Sequence, residues 1–509
     1  MGGRAKLVGV LVAAATAMSG GGAYAEKATD TLRVVWRDAI PNVDPYYNTL
    51  RTGLIFQQHA MDGLVYRDPD TFEIKPLLAT AWNWVDARAL DLTLRQGVTF
   101  HNGDKFSADD VVYTLNLVSS PEGKVSVPSN YSWIEKAEKI DDFHVRVHLK
   151  RITPAALEFF AMITPMYPKA YREKVGPEGF SKAPVGAGPY KVTRLDGVNE
   201  IDMVRFDGYY EGSPKGKARI GKLVIREVAD AATEMAELLS GRADWIWNFN
   251  PDQFDQVGRM PNLQALRAES MRVNFLQLDA AGRSGANNPL TNVKVRQAIL
   301  YAIDRQTFAK QLVQGGSRPL DAPCYPTQFG CDQEAAVKYQ YDPAKAKKLL
   351  AEAGYPNGFE TELVGYFLDS WMASIQGYLS AVGIKAKVSK LQVGAVIQRL
   401  EKGDTPVNAG SWGSNSVNDV SAIFPVYFDG KSNFDFARDP EAAKLVEEGG
   451  STNDPETRKL AYSALIKRVT EQAYFTVLAT DAKYYGLSKE LNFHPDRDEL
   501  PRFWGASWK

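Results

Sequence analysis

The side chains that carry out most enzyme chemistry are scarce and scattered in this sequence. It contains no HExxH, GxSxG or CxxC segment, so the usual patterns for a zinc site, a serine nucleophile and a thiol redox pair are missing. The five histidines are His59, His101, His144, His148 and His494. The nearest two, His144 and His148, would lie about 13 Å apart on one strand face, too far to share a metal ion. We expect a solvated strand face there, with no catalytic residue and no metal.

One incomplete phosphate-binding motif is present. Residues 216–222 spell G-x-x-x-x-G-K, but Leu223 stands where a Ser or Thr would ligate magnesium. The following residues, 223–228, have the composition of a strand, so no helix N-terminus would face a phosphate. Nucleotide binding is therefore not expected. A glycosidase-like pair of carboxylates cannot be located without a fold, so a hydrolase remains an alternative.

The two cysteines predict a disulfide. Cys324 and Cys331 enclose six residues, and no histidine lies near them in the sequence. A redox or metal role would favour CxxC spacing or a nearby histidine, whereas an even pair in an exported protein favours a bridge. Closing so short a loop would stabilise the fold by about 2–3 kcal/mol on the chain-entropy estimate.

The amino terminus has the pattern of a secretory signal peptide. Arg4 and Lys6 precede an apolar run over residues 7–18, and Ala23 and Ala25 provide the small side chains that signal peptidase requires. The run is shorter than the roughly 20 residues that span a membrane. We expect cleavage after Ala25. A lipid anchor would need a cysteine at the cleavage site, and Cys324 and Cys331 lie far downstream, so the mature protein should be soluble, unanchored and periplasmic.

Composition excludes some classes of partner. The 509 residues include 60 Lys and Arg and 61 Asp and Glu, and the net charge of −1 becomes more negative when Arg4 and Lys6 leave with the signal peptide. Nucleic-acid binding needs a concentrated basic surface, and no long charged block occurs here. Aromatic residues form 11% of the chain, and several lie in loop-like segments where they could line a pocket.

Local patterns predict an α/β fold. Leu90, Leu92 and Leu94 alternate with polar residues, as they would on one face of a strand, and residues 144–149 repeat the pattern. Capping signals mark helices after Ser107, from Asp342 to about residue 353 and from Asp454 to about residue 473. A further amphipathic helix is predicted over residues 292–313. Two stretches look like crossings between lobes: the strand 273–278 with its Gly-rich continuation, and residues 478–484.

The order of motifs from about Leu32 almost to the C-terminus resembles that of the family-5 extracellular solute-binding proteins of ABC importers. The residues that carry this resemblance are Asp44-Pro45, residues 62–64 (DGL), 76–82 (PLLATAW), 94–112 (LRQGVTFHNGDKFSADDVV), 186–191 (GAGPYK), 293–305 (VKVRQAILYAIDR), 342–355 and 411–415. Most of them suit the fold: Gly97 and Gly103, for example, permit tight turns beside Phe100.

The resemblance implies a two-lobed periplasmic binding protein fold with a ligand cleft between the lobes. It implies capture of a small polar solute, delivery to an inner-membrane ABC permease, no cofactor and a monomeric chain. The predicted segments are 1–25 (signal peptide), 26–65 and 181–280 (first lobe), 66–180 (extra subdomain of the first lobe), 281–480 (second lobe) and 481–509 (return to the first lobe).

The resemblance also supplies candidate ligand contacts. Peptide-binding members carry an Asp three residues after a strand-end Trp, but here Trp412 is followed by Ser414 and Asn415. The lost charge could be replaced by Asp419, or Asp419 could simply cap a loop. Other candidates are Tyr46, Tyr47, Asn48 and Arg51 in the early loop; Arg51 could hold a carboxylate or phosphate, or could be an ordinary surface arginine. Trp245, Trp247 and Asn248 are further candidates, and core packing would explain the two tryptophans equally well.

A second departure concerns the ligand's carboxylate. Dipeptide binders hold it with an Arg near residues 363–370, a stretch that contains none here. A peptide, a peptide derivative, an opine-like conjugate, an oligosaccharide and a metal chelate all remain candidate ligands. The alternatives to importer-coupled binding are a periplasmic hydrolase and a chaperone or haem-delivery protein.

Overall fold

The structure, a computed structural model, describes residues 29–48, 50–197 and 199–509. The predicted signal peptide, 1–25, lies outside the described residues. Within them, no helix has both the length and the apolar character needed to cross a bilayer. The strands are β1 Thr31–Trp36, β2 Val65–Arg67, β3 Ile74–Pro76, β4 Ala79–Asp86, β5 Ala89–Leu94, β6 Ile134–Asp141, β7 His144–Leu149, β8 Tyr190–Asp196, β9 Glu200–Arg205, β10 Lys222–Glu227, β11 Trp245–Trp247, β12 Leu263–Leu278, β13 Glu360–Gly365, β14 Lys385–Lys390, β15 Val407–Trp412, β16 Phe475–Ser488, β17 Leu491–Asn492 and β18 Ser507–Trp508.

Helices alternate with these strands and confirm the predicted α/β class. The α-helices span Arg51–Ala60, Ala108–Ser119, Ala156–Met162, Lys169–Lys182, Ala231–Leu239, Phe254–Gly258, Val293–Ala302, Arg305–Phe308, Pro343–Glu352, Asp369–Ala381, Val393–Lys402, Phe424–Phe428, Pro440–Gly450 and Pro455–Glu471. Shorter 3-10 turns occupy Pro45–Tyr47, Pro121–Gly123, Pro128–Asn130, Pro251–Gln253, Pro289–Thr291, Ser414–Ser416, Val420–Ala422 and Phe503–Gly505, and Ala309–Val313 forms a π-helical turn.

Two long strands run through the middle of the main sheet. The strand order among the described residues is β14-β13-β15-β12-β16-β11-β1-β10-β9-β8. Strands β12 and β16 pair antiparallel from Leu263↔Ser488 to Gln277↔Phe475, with irregular register near Ser270. At about 3.3 Å per residue, the 16 residues of β12 extend roughly 50 Å, enough to pass from one packed region to the next.

Among the described residues, three large hydrophobic cores and one small cluster pack around this sheet. The first packs β1 and β8–β11 against the helix Arg51–Ala60 and receives Phe503 and Trp504 from the C-terminal segment. The second packs the helices Val293–Ala302 and Asp369–Ala381 against one face of β12, β13 and β15. The third lies on the opposite face of β12 and β16, where Phe275 stacks on Phe475 at 4.1 Å between ring centroids. The exact boundaries of the predicted lobes remain predictions.

A separate four-stranded sheet, β4-β5-β7-β6, bears out the strand patterns. Leu90, Leu92 and Leu94 are buried on one face, and β7 has the same alternation. The helix Ala108–Ser119 packs against β6 and begins with the expected capping box. In it, the Ser107 side chain accepts from the backbone N–H of Asp110, and the Asp110 carboxylate accepts from the backbone N–H of Ser107.

The remaining helix predictions have mixed outcomes. Asp342 and Asp454 cap helices as expected. The single helix predicted over 292–313 is wrong, because Val293–Ala302 ends at Ile303, which is extended, and a new helix starts at once. The cause is Asp304, whose carboxylate accepts from the backbone N–H of Thr307 and caps that second helix instead of continuing the first.

Two smaller predictions are confirmed. Cys324 and Cys331 form a disulfide with their Cα atoms 5.8 Å apart. The G-x-x-x-x-G-K segment leads into strand β10, which starts at Lys222, and not into a helix.

Candidate ligand-binding site

A cavity of about 420 Å³ lies between the first core and the third core. Its walls come from the early loop, a loop near residue 130, strands β12 and β15 and the helix Val393–Lys402. The lining residues are Pro45, Tyr46, Asn48, Leu50, Arg51, Leu54, Gln57, Ser126, Val127, Asn130, Tyr131, Ile163, Arg272, Phe275, Tyr366, Val393, Val396, Ile397, Leu400, Asn408, Gly410, Ser411, Trp412, Gly413, Asn415, Tyr427 and Phe434. The volume lies within the range typical of small-molecule sites.

The register of β12 and β15 decides which side chains line this cavity. Phe275 lies opposite Gly410 and Val273 lies opposite Trp412, so alternate residues of both strands share one face. Leu276, Leu278, Val407 and Ala409 lie in the second core on the opposite face. A side chain at Gly410 would lie 3.0 Å from the ring of Phe275, so glycine leaves room for that ring beside the cavity.

The turn after β15 has an unusual backbone. Ser414, Asn415 and Ser416 all have positive φ, at 50°, 48° and 63°, a conformation that costs roughly 1–3 kcal/mol per non-glycine residue. Contacts from distant parts of the chain hold the turn: Arg51 Nη1 donates to Ser416 Oγ at 2.6 Å, and Ser416 Oγ donates to the Asp498 carbonyl at 2.6 Å. The turn places Asn415 at the cavity.

Two arginines meet one buried glutamate at the same end of the cavity. Arg272 donates to Glu499 through Nε and Nη2, at 2.9 and 2.8 Å, and Arg51 Nη2 lies 3.3 Å from the same carboxylate. Lys483 completes the group at 3.3 Å. Burial alone would raise the pKa of Glu499, but the charges of Arg272, Lys483 and Arg51 outweigh it and hold the pKa well below its usual range.

A second ionic cluster lies directly behind this end. Arg67 Nη2 and Arg502 Nη2 each lie 2.6 Å from Asp498 Oδ2, and Arg502 also contacts Asp496 at 3.0 Å. Burial opposes the charge on Asp498, but the two guanidinium groups prevail and lower its pKa. Arg67 also donates to the carbonyl of Ser416, so this cluster supports the strained turn.

The sequence of residues 73–434 matches the model of the bacterial extracellular solute-binding proteins, family 5, middle. This match covers well over half of the chain. The chain belongs to this family. It is therefore the solute-binding component of an ABC importer and not an enzyme, which confirms the predicted function class.

Individual relatives agree with this assignment over most of their length. The chain is 26% identical to heme-binding protein A of Haemophilus influenzae over 451 residues, 80% of this chain and 79% of that protein. It is 28% identical to the glutathione-binding protein GsiB of Salmonella paratyphi A over 369 residues, 70% and 69% of the two chains. The solved structure of HbpA2 from Haemophilus parasuis has a TM-score of 0.78 at 25% identity and covers 94% of this chain and 100% of that chain.

Five of the predicted contacts of this solute-binding protein line the cavity: Tyr46, Asn48, Arg51, Trp412 and Asn415. Some of their polar atoms are already engaged. The Tyr46 hydroxyl donates to the Pro165 carbonyl at 2.5 Å, and the amide of Asn48 bonds the backbone of Asn42 and Leu50. Tyr46 and Asn48 therefore contribute mainly to the shape of the cavity wall, because these polar atoms are already bonded within the protein.

The structure places the other predicted contacts elsewhere. Trp245 and Trp247 are buried in the first core, where Trp245 packs against Phe503 at 5.1 Å between ring centroids. The Asn248 carbonyl accepts from Arg37 at 2.6 Å, and the Tyr47 hydroxyl donates to the Gly123 carbonyl at 2.5 Å. Core packing accounts for the two tryptophans, and none of the four residues lines the cavity.

Asp419 is paired within the protein and lies outside the cavity lining. Arg458 donates to both of its carboxylate oxygens, at 2.8 and 2.9 Å, and both side chains are buried. The carboxylate also accepts from the backbone of Ser421, so it caps a turn. Ser414 is buried and, like Asp419, lies outside the lining.

Several lining residues were not predicted from the sequence. Arg272 lies one residue before the predicted strand 273–278, and Asn408 lies within a strand of small residues. Tyr366 lies in the stretch that lacks the family's arginine, and its hydroxyl accepts from the backbone N–H of Ser411 at 2.8 Å. A polar residue within or beside an apolar strand was the available signal for Arg272 and Asn408.

Proposed function

We propose that this protein captures a small organic solute in the cavity between the first and third cores and delivers it to an inner-membrane ABC permease. The observation that carries this proposal is the composition of the cavity walls. Tyr46, Tyr131 and Ile163 belong to the first core, whereas Phe275, Trp412 and Tyr427 belong to or pack on the third. A ligand in this cavity would contact both at once.

The proposed lobes follow from the same arrangement. Residues 26–65, 181–280 and 481–509 would form the first lobe, 66–180 its extra subdomain and 281–480 the second lobe. Strands β12 and β16 would then be the hinges. Because ligand would contact both lobes only in the closed form, binding would favour closure by the difference in affinity between the two forms. The permease would receive the closed form.

The proposed cargo is a peptide-like or similarly sized polar solute. The two relatives are named for binding heme and glutathione, and this chain shares their family. The opine-like conjugates, oligosaccharides and metal chelates considered above also fall within this size. A heme-delivery role is a variant of the same proposal, favoured only by the likeness to heme-binding protein A.

The proposed location is the periplasm. Cleavage after Ala25 would release a soluble monomer, in agreement with a family described as extracellular. Edman sequencing of the protein recovered from a periplasmic extract should start at Glu26.

Native mass spectrometry tests the proposed capture. The mature protein should be unfolded in denaturant to release bound molecules, refolded, mixed with the small-molecule fraction of a bacterial extract and exchanged into a volatile buffer. We expect a discrete mass increment from one small molecule at a stoichiometry of one. The Asn48→Ala and Gly410→Val variants should differ, because a side chain at 410 would enter the cavity whereas loss of the Asn48 amide would leave the cavity open. Equal retention of ligand by both would contradict the assigned site.

A further inference from the structure

We infer that the solute is an amphipathic carboxylate without a free ammonium group, held at one end by Arg51 and Arg272 and carrying an N–H or O–H group that donates to Asn408. This inference rests on the proposed function, since it concerns the same cavity. It is carried by the convergence of the two guanidinium groups, by the charges of the lining residues and by one unpaired buried oxygen.

The two guanidinium groups converge beside Gly413. A Cβ atom built on Gly413 would lie 2.9 Å from Nη2 of Arg51 and 2.9 Å from Nη2 of Arg272. The backbone of Gly413, with φ of −113°, does not itself require glycine. Glycine is therefore needed for space: without a side chain at residue 413, both Nη2 groups can approach its backbone and lie close together at this end of the cavity.

The arginines retain donors for that ligand. A guanidinium has five N–H donors. Arg272 donates hydrogen bonds to Glu499 through Nε and Nη2, and to Ser411 Oγ through Nη1 at 3.2 Å. Arg51 uses Nη1 for Ser416 Oγ and turns Nη2 towards Glu499. The remaining N–H groups match the planar, two-oxygen geometry of a carboxylate.

The charge of the lining favours a monoanion. The lining residues that the structure describes include Arg51 and Arg272 but no Asp or Glu. The acids that balance the arginines, Glu499 and Asp498, stand behind the wall and are buried. A ligand ammonium group would thus lose its hydration without gaining a counterion, which is costly in a buried site.

Asn408 offers an acceptor on the same face of β15. The Gln277 amide donates to the Phe434 carbonyl at 2.6 Å, which fixes its oxygen towards Asn408 Nδ2 at 3.3 Å. Asn408 Oδ1 is then left buried with no hydrogen-bond partner. A buried acceptor without a hydrogen bond destabilises a folded protein, so we expect an N–H or O–H group of the ligand to donate to Asn408 Oδ1.

The distance between the two features sets the length of the ligand. Asn408 and Trp412 are four residues apart on one strand, about 13 Å at 3.3 Å per residue, and the arginines lie at the Trp412 end. The helix Val393–Lys402 adds Val396, Ile397 and Leu400 at the Asn408 end. A ligand with a carboxylate at one end and an N–H group attached to an apolar or aromatic group at the other end fits this arrangement.

Matched probes test the inference. N-Benzoylglycine, N-acetylphenylalanine and N-acetyl-alanyl-phenylalanine should be compared by calorimetry with their C-terminal primary amides, with the free-amine parents and with phenyl phosphate. We expect at least one acid to bind about ten- to hundredfold more tightly than its amide. The free amines should bind no better than the amides. No binding acid, an amide equal to its acid, or preference for a free amine or for the phosphate would each overturn the inference.

Variants of Arg51, Arg272 and Gly413 test whether these residues cause the preference for the acid over its amide. Arg272→Gln and Arg51→Gln should reduce the preference for acid over amide to less than about threefold. Gly413→Ala should do the same while the protein stays folded, because its methyl group displaces only the ends of the two arginines. Arg259→Gln is the control, since Arg259 is largely exposed and remote from the cavity. An acid preference that survives in Gly413→Ala and Arg272→Gln would refute the assignment.

Asn408 and the proposed function have separate tests. N-Methylation of the best acid should weaken its binding about tenfold in the wild-type protein but hardly at all in Asn408→Ala. Equal loss in both would remove Asn408 from the inference. If the native mass experiment finds a bound molecule that is not an acid, the inference fails and the proposed function stands. If it finds no bound molecule, the proposed function fails.

Discussion

Glu499 is the residue whose replacement tests the electrostatic reasoning most directly. Its side chain is buried, accepts hydrogen bonds from Arg272 and Ser270, and lies within 3.3 Å of Arg51 and Lys483. The change Glu499→Gln keeps the shape of the side chain and removes the negative charge. Arg51, Arg272 and Lys483 then lose their shared anionic partner. The amide N–H₂ of the new glutamine also faces N–H donors, with which it cannot form a hydrogen bond.

The magnitude follows from the burial of the group. Removing one partner of a buried ion pair costs about 3–5 kcal/mol, because the remaining charge stays desolvated. Lys483 keeps Asp481 at 2.7 Å as a second partner, which limits the loss. We therefore expect Glu499→Gln to lower the free energy of unfolding by about 3 kcal/mol at pH 7, more than a hundredfold in the folding equilibrium.

The pH dependence has a definite sign. The pKa of Glu499 is held below its ordinary value of 4.5 in the folded protein. Its charge therefore contributes stability that is present above pH 4.5 and is lost as the pH falls through the folded pKa. The difference between wild type and Glu499→Gln should be constant from pH 8 to about pH 5 and should shrink in stronger acid.

Urea titration followed by tryptophan fluorescence measures this difference. Glu334→Gln is the matched control, since Glu334 pairs with Lys338 only at the surface and should cost less than about 0.5 kcal/mol. A loss below about 1 kcal/mol for Glu499→Gln would refute the assignment of the carboxylate as the shared partner of buried cations. A difference that grows in acid would refute the sign of its pKa shift.

Three further outcomes are expected. Trp412→Ala should weaken ligand binding about tenfold by calorimetry without unfolding the protein, and unchanged affinity would remove Trp412 from the site. Replacing Cys324 and Cys331 together by Ala should lower the free energy of unfolding by about 2–3 kcal/mol, as measured in urea, while adding a reductant to the double variant should change nothing. Burial raises the pKa of Glu234 to about 7, so wild type should lose stability as pH rises from about 5 to 8, by about 3 kcal/mol relative to Glu234→Gln; parallel pH profiles would contradict this.

Local chemistry explains which elements could be predicted from the sequence. The strands β5 and β7 and the helix caps at Ser107, Asp342 and Asp454 depend on residues within one or two turns of each other. The broken helix after Ile303 was equally local: Asp304 and Thr307 carry a capping pattern that the longer apolar periodicity outweighed. That error came from ranking one local signal above another, and not from distant contacts.

The site was harder to predict because its geometry depends on long-range pairing. Asn408 acquires its unpaired oxygen only through Gln277, which is 131 residues away, and Arg51 meets Ser416 across 365 residues. Composition cannot distinguish Trp412, which lines the cavity, from Trp245, which packs in the core. Only the register of the sheet and the packing of the C-terminal segment separate them.

The residues that hold the strained turn are also those that would recognise the ligand. Arg51 contacts Glu499 and Ser416 while facing the cavity, and Arg67 supports the same turn through Ser416 from behind. Positive φ at three successive non-glycine residues persists only where surrounding contacts fix the backbone. Those contacts join the first core to the chain that follows β15, so any opening of the cavity that separates them would also release the turn and move Asn415 away from the two arginines.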